Sequence, residues 1–525
     1  MNGMKPLMAE RLLVRPLPDN ELLLHFNLSV TTGRGDLRDL GHFPRPVAEL
    51  VLGTGALHAS LTLRSGRWLS RAWGALPVPM PAGGELSAAF PTDGWPFGWH
   101  ALRRSLGLLV CATPATADEF SRPDDPFASH LSGALPPSMG GRGGHSRGPN
   151  ATLEFRAVLP PQGVCTENLA RWLQLWPCGG AAGITTLLSP AAPSAARRLR
   201  HARFRALRLE LRQHAAPPRH SSHAGGTRAR GRWSLLLSLS LVLPADASRP
   251  PPHGRADDLL GGLLSRGLRA CELASSSSLA LELPTAAAAA LGVAAAAAQP
   301  YGAARLTGGA EGAGGVLEWA LRPNQTQPLL LGWRGEPHAM THPSPMEVRR
   351  VAAREDDTRG ELVLQLRNRA PDAASVAVFE EMPRWLVPRW HSLQAFVDGR
   401  PIATSAALLR LKVTSSEHGG QLVEWAAVLP ANSSLILALG YHIGLLAVDR
   451  LAADASRGLE LCSPTISFSY GGDLAKKIYA EPLLIPLLLP DTSMPYNVIS
   501  ISSTMVALFV GSMFNLLSRR RVGSV

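Results

Sequence analysis

Lysine is nearly missing from this 525-residue chain: it occurs only at positions 5, 412, 476 and 477. Charged residues of all kinds make up 18%, below the roughly 25% of an ordinary soluble domain, and aromatics only 6%. Arginine therefore carries nearly all of the +12 net charge. A basic balance of this size points toward nucleic acid or an anionic membrane surface. Here, however, it comes with 50 Gly, 44 Pro and long Ala runs, a skew that a GC-rich coding sequence produces without any ligand. The densest stretch, Arg197 to Arg232, holds eleven Arg and one acid, Glu210, with Phe204 as its aromatic and Trp233 directly after it. That is poor in the rings on which bases stack, so no nucleic acid is expected. Hydrophobic residues at 46% exclude wholesale disorder, and the length suffices for two or three cored domains.

Catalytic signatures are also lacking. There is no P-loop, no GxSxG elbow and no HExxH. Gly308 to Gly315 (GGAEGAGG) lacks the strand-to-helix context of a phosphate cradle. His220 and His223, with His214 nearby, sit in a Pro/Ser/Gly stretch without Cys or carboxylate support, so no metal is expected. Glu380 and Glu381 are neighbours on a strand and point to opposite faces, which argues against a catalytic pair. No catalytic residue, metal or cofactor is expected. Five cysteines (Cys111, Cys165, Cys178, Cys271 and Cys462) are too few for a disulfide scaffold, and their odd number leaves one thiol over in an oxidising compartment.

The long apolar run comes only at the end. Val498 to Leu517 is uncharged and, at ~1.5 Å per residue, reaches across a ~30 Å hydrocarbon core. Arg519, Arg520 and Arg521 follow, so the positive-inside rule puts residues 518–525 in the cytosol and everything before residue 496 in the lumen. Pro495 suits the first turn of such a helix. The expected topology is single-pass type I, with the helix over 496–517. This orientation calls for a secretory leader, and Met1 to Leu13 lacks the uninterrupted apolar stretch of one, so a leader missing from this sequence is expected. Four sequons fit a lumenal location: Asn27, Asn150, Asn324 and Asn432, of which Asn150 follows a flexible Gly/Pro/Ser stretch.

Strand patterns dominate the rest. Leu12 to Pro16 and Leu22 to Val30 read as a hairpin around a Pro-Asp turn, and His58 to Leu63 alternates. Ala151 to Leu159, Ile184 to Leu188 and Leu235 to Leu243 read as further strands, and Trp99 to Val110 as a helix. Residues 132–150, 197–232 and 285–299 read as low-complexity insertions, although Arg203 to Leu211 alternates well enough for one face to pack. From Gly315 to Leu446 short strands follow one another: Gly315 to Leu321, Glu361 to Leu366, Ser375 to Phe379, Leu408 to Val413, Leu422 to Val428 and Ser434 to Leu439. The expected fold is mainly β, with two lumenal β-sandwich-like domains (1–300 and 301–490), a few helices and one C-terminal transmembrane helix.

Two blocks carry a family resemblance. Val158 to Cys178 reads VLPPQGVCTENLARWLQLWPC, and Tyr479 to Arg520 reads YAEPLLIPLLLPDTSMPYNVISISSTMVALFVGSMFNLLSRR. Supporting stretches are ERLLVRPLPDNELLLHF from Glu10, GRWLSRAWG from Gly66, EEMPRWLVPRWHSL from Glu380 and LPANSSL from Leu429. Together these resemble the PIG-T family, the non-catalytic subunit of the glycosylphosphatidylinositol (GPI) transamidase of the endoplasmic reticulum, which replaces the C-terminal signal of a precursor protein with a GPI lipid. The Arg-, Pro- and Ala-rich segments do not match well. The resemblance implies a mainly β lumenal part that holds the caspase-like catalytic subunit PIG-K, alongside PIG-S, PIG-U and GPAA. It further implies that Cys165 is the intermolecular disulfide partner of the catalytic subunit, the alternative being an internal bridge from Cys165 to Cys178. At the membrane end, Ser503, Ala507, Gly511 and Asn515 are spaced four apart, a small-residue stripe for a neighbouring helix. Tyr496 and Asn497 sit at the lumenal mouth, where they are expected to meet the GPI lipid. A single-pass adhesion or receptor ectodomain has the same topology but does not explain the motifs.

Overall fold

The computed structural model describes residues 7–18, 21–32, 43–91, 95–110, 152–159, 171–178, 182–188, 201–214, 232–244, 254–255, 268–283, 305–307, 315–323, 332–333, 344–408, 410–415, 420–444, 446, 458–471, 476–487 and 493–518. The chain is mainly β, as its alternation patterns require.

Ten strands form the first sheet: β1 (Leu7–Leu17), β2 (Glu21–Thr31), β3 (His58–Ser65), β4 (Gly83–Pro91), β5 (Thr152–Leu159), β6 (Phe204–His214), β7 (Arg232–Leu243), β8 (Ser276–Leu283), β9 (Arg305–Thr307) and β10 (Gly315–Ala320). Their order across the sheet is β9-β10-β8-β1-β2-β7-β6-β3-β4-β5. The β1–β2 hairpin pairs from Leu7↔Thr31 to Leu17↔Glu21, as its turn signal predicts. Every pairing is antiparallel except β1 with β8, which run parallel with Leu12 beside Leu279.

Period-2 alternation gives this sheet two apolar faces. Leu22, Leu24, Phe26, Leu28 and Val30 of β2 enter the main core, while Leu23 joins Trp68, Trp73, Met80 and Phe204 in a smaller core on the other side. The main core is covered by helices α1 (Arg45–Thr54) and α2 (Trp95–Val110). Pro44 precedes α1, and Gly55 ends it in the left-handed region at φ +71°, its N–H bonded to Val51 O. The two helices touch closely: a Cβ at Gly98 would lie 2.5 Å from Thr54 O, so this position admits no side chain without a shift.

Two expectations are corrected here. Phe204–His214 lies inside the stretch read as an Arg-rich insertion, yet it is β6, between β7 and β3. Phe204, Ala206, Leu207, Leu209 and Leu211 are buried, and Arg208 and Arg212 both pair with Glu210. Ile184–Leu188 is a 3-10 turn, not a strand. Thr186 Oγ1 donates to Gly183 O at 2.9 Å, and this local bonding competes with a ladder.

The second unit is a β-sandwich. One sheet contains β11 (Met346–Arg354), β12 (Arg359–Asn368), β14 (Leu386–Pro388), β15 (Gln394–Val397), β16 (Arg400–Ile402) and β19 (Ser434–Ile443). The other contains β13 (Ala374–Met382), β17 (Arg410–Ser415), β18 (Gln421–Leu429), β21 (Thr465–Tyr470) and β22 (Lys476–Tyr479). Leu364, Leu366 and Leu437 from the first face Val376, Val378, Trp425 and Phe468 from the second. A short pair, β20 (Leu459–Leu461) with β23 (Leu483–Ile485), adds Leu461 and Ile485 to this core. Gly315–Ala320, expected in this block, instead pairs with β8 in the first sheet, so that sheet runs past residue 300. A single long helix, α3 (Ser493–Ser518), completes the chain.

Candidate functional site

The segment that carries the odd-cysteine question runs from β5 to the 3-10 turn. Cys165 itself lies outside the described residues, as do Cys111 and the His220/His223 pair. Both flanks are held. On one side Leu159 pairs with Gly84 of β4. On the other, Trp172 and Trp176 stack edge to face at 5.1 Å, 1% and 4% exposed within the main core. Cys178 then bonds to Cys271 across 93 residues of sequence, with a Cα–Cα distance of 6.2 Å. The internal alternative considered for Cys165 is corrected by this pairing, since Cys178 is already taken.

A buried carboxylate sits beside that bond. Glu10 of β1 is 3% exposed; its Oε1 accepts from Cys271 N–H at 3.0 Å and from Ser277 Oγ at 2.7 Å, and its Oε2 accepts from Ile184 N–H at 3.4 Å. Burial pushes its pKa up, opposed by these hydrogen bonds. The signal for Glu10 was present in the sequence: Met8, Glu10, Leu12 and Val14 share one face of an alternating strand, and a lone acid on an apolar face needs dedicated donors. That signal was missed.

Other buried charges tie elements together. Arg64, on the polar side of β3, is buried all the same: its guanidinium lies 5.5 Å over the Phe204 ring, bonds Met80 O at 3.3 Å and pairs with Glu481 at 2.8 Å. This pair joins the first sheet to the stretch leading into α3. In the sandwich, Arg350 pairs with Glu380 between the two sheets and donates to Cys462 O at 2.7 Å. Glu380 and Glu381 are both buried, and Glu380 is thereby an ion-pair partner.

Helix α3 has the chemistry of a membrane span. Tyr496–Ser518 has a mean hydropathy of 1.6 and none of it is buried against the rest of the chain. Its hydroxyls are satisfied internally: Ser503 Oγ donates to Ser500 O at 3.0 Å, Thr504 Oγ1 to Ser500 O at 2.7 Å and Ser512 Oγ to Phe509 O at 2.9 Å. Such back-bonding lets polar residues sit in hydrocarbon. Tyr496 (70% exposed) and Asn497 stand in the first turns, and Ser503, Ala507, Gly511 and Asn515 are all exposed, with open space around Gly511.

Comparison with known proteins decides what this assembly belongs to. A family model described as the Gpi16 subunit, a GPI transamidase component, matches residues 5–231 and 263–525. The chain belongs to the Gpi16 family. The PIGT component of the mouse GPI-anchor transamidase is 26% identical over 560 aligned residues, covering 98% of this chain and 90% of that one. The GPI16 component of Saccharomyces cerevisiae is 23% identical, covering 98% and 88%. Both motif blocks that carry the resemblance fall inside the matched residues; so do residues 197–231 of the Arg-rich stretch and the Ala-rich 285–299, which were expected to match poorly, and the gap, 232–262, holds β7 instead.

In this Gpi16 chain the four sequons occupy unlike places. Asn150 and Asn324 lie outside the described residues. Asn27 is in the middle of β2, between Arg11 of β1 and Ser238 of β7, with its Oδ1 buried. Asn432 is exposed at the tight turn between β18 and β19, in the left-handed region at φ +50°. Among the described residues Asn432 is thus the accessible acceptor.

Proposed function

We propose that this chain is the non-catalytic, structural subunit of a GPI transamidase in the endoplasmic reticulum membrane. It holds the caspase-like catalytic subunit PIG-K through a disulfide at Cys165, alongside PIG-S, PIG-U and GPAA, and helps to position the precursor protein and the GPI lipid. The observation that carries this reading is the family match over nearly the whole chain, spanning both the Cys165 segment and α3. The Cys178–Cys271 bond supports it, because it removes Cys178 as an internal partner for Cys165.

The chain would anchor by α3 as a single-pass type I protein, with both β units in the lumen. The stripe of Ser503, Ala507, Gly511 and Asn515 serves close approach of another subunit's helix, through packing, since the Ser503 hydroxyl is already turned onto its own backbone. Tyr496 and Asn497 meet the GPI headgroup at the lumenal mouth. Asn497→Ala should lower GPI attachment without loss of assembly, and an Asn497→Ala chain that assembles and supports full attachment contradicts this role.

Purification of the full chain from membranes in mild detergent, with and without reductant, tests the main reading. A covalent species that contains a second chain, collapses on reduction and is lost in Cys165→Ser is the expected result. Monomer mobility that reductant does not alter overturns the disulfide role.

A further inference from the structure

β17 is an edge of the sandwich: among the described residues it pairs only with β18. The register sets Leu411 beside Trp425 and Val413 beside Val423, so both side chains point to the face that packs the core. Their neighbours on β18 are sealed, Trp425 6% and Val423 3% exposed, whereas Leu411 is 41% and Val413 37% exposed. The core face of this sheet therefore runs out past β18 without a cover. From Leu411 a cleft of about 480 Å³, counting its open mouth, continues between the two sheets. Among the described residues its walls are apolar, Trp390, Trp425 and Leu439 included, except for Arg350 and Glu380, which pair with each other. Protein interiors leave few spaces of this kind, and uncovered apolar surface beside one marks a place of association.

Backbone, cleft and charge together define the occupant. An edge strand turns one row of N–H and C=O groups away from its neighbour, and another extended chain matches that row along its length. The cleft calls for an uncharged apolar group, because Arg350 and Glu380 already satisfy one another. The opposite face of β17 carries Arg410 and Lys412, two residues apart and so side by side. Cations on an edge ordinarily ward off pairing, and a second copy of this strand would set Arg and Lys against Arg and Lys. The same charges favour a strand whose residues on that face are acids.

We propose that β17 takes an extended segment of another polypeptide, apolar and acidic at alternate positions. The segment adds a sixth strand to the five-stranded sheet and sends one apolar side chain into the cleft beside Leu411. Main-chain pairing supplies the affinity, the cleft selects the apolar side chain, and Arg410 and Lys412 select the acids on the other face.

The test uses the full chain in phosphatidylcholine nanodiscs, so that no detergent enters the cleft. The probe is a short fluorescent peptide of alternating Leu and Glu, with a Leu/Lys peptide of the same length for comparison. The Leu/Glu peptide should bind several-fold tighter than the Leu/Lys peptide, and hydrogen exchange over residues 410–415 should slow when it is bound. Leu411→Ala, at a position already part-exposed, should weaken its binding about tenfold through the lost apolar contact. Arg410→Glu, exposed and across from Ala426, should erase the difference between the two peptides, since one cation and one anion then meet the incoming strand. Equal binding of both peptides to the wild-type chain overturns the proposal, as does unaltered exchange at 410–415 in the bound state or no binding at millimolar peptide. Self-association of the chain that Leu411→Ala abolishes would give the edge to a second copy. Dodecanol held in the cleft with no peptide bound would give it to an alkyl chain. Either result also overturns the proposal.

Discussion

His25 of β2 faces Ser240 across the β2–β7 ladder, with Nδ1 2.8 Å from Oγ, and burial holds its pKa down to about 4, helped by Arg15 and Arg11. The native imidazole is therefore neutral, while the unfolded one titrates near 6.5. The unfolded chain takes up its proton first, so stability is lost as pH falls from about 6.5 through about 4, by about 3 kcal/mol at ~1.4 kcal/mol per pKa unit. Glu210 adds a second acid-sensitive window. Burial works to raise its pKa, but the hydrogen bond from His58 and the charges of Arg208, His58 and Arg212 prevail and hold it at about 2, so its contribution disappears as pH falls below about 4.5. Denaturant melts between pH 7 and 4 should show a slope that His25→Gln flattens, and an unaltered slope in that variant contradicts the assignment. Also at this scale, Asn432→Gln should remove an endoglycosidase-sensitive shift on gels. Asn27→Gln should not, because a glycan cannot form on the central strand of a ten-stranded sheet.

At the level of elements, strands whose apolar residues alternate were readable, β2, β3, β5 and β7 among them, because one face of each enters a core. The helix α3 was readable from its length and lack of charge. β6 was misread because the arginines at 205, 208 and 212 lie in a longer Arg-rich run that resembles an insertion; the deciding fact, its place between β7 and β3 with one face in the core, depends on neighbours far along the chain. β8 was not identified at all: its first half, Ser276–Ser278, is polar, and its place comes from a parallel pairing with β1 that no local pattern announces. The Cys165 segment was readable only through its resemblance, and Glu10 went unnoticed because its three donors come from residues 184, 271 and 277. The sandwich offers its own test. Glu380→Ala leaves Arg350, whose side chain is 2% exposed, as a buried unpaired cation, and should cost about 3–5 kcal/mol in chemical denaturation. Replacing both partners together, Arg350→Met with Glu380→Leu, should cost far less, since no buried charge remains. Equal losses in the single and double variants contradict the ion-pair account.

Across the whole molecule, one ion pair ties the first sheet to the chain that leaves the sandwich. Arg64 bonds Glu481, and Glu481 lies between β22 and β23, a dozen residues before α3 begins. Glu481→Ala should lower thermal stability by about 2 kcal/mol, less than for a fully buried pair because Glu481 is 41% exposed, and should quicken proteolysis between the two units. Its effect on GPI attachment would report how strictly the first unit must be held to the stretch after β22. Four of the arginines serve structure: Arg15, Arg64, Arg208 and Arg350 each meet a carboxylate within the fold. The central claim is that this chain serves GPI attachment as a structural subunit. The most direct measurement follows a GPI-anchored reporter in cells depleted of the chain and supplied with it again. The account predicts that uncleaved precursor accumulates on depletion and that wild-type chain restores anchoring. Normal anchoring of the reporter in the depleted cells would contradict it.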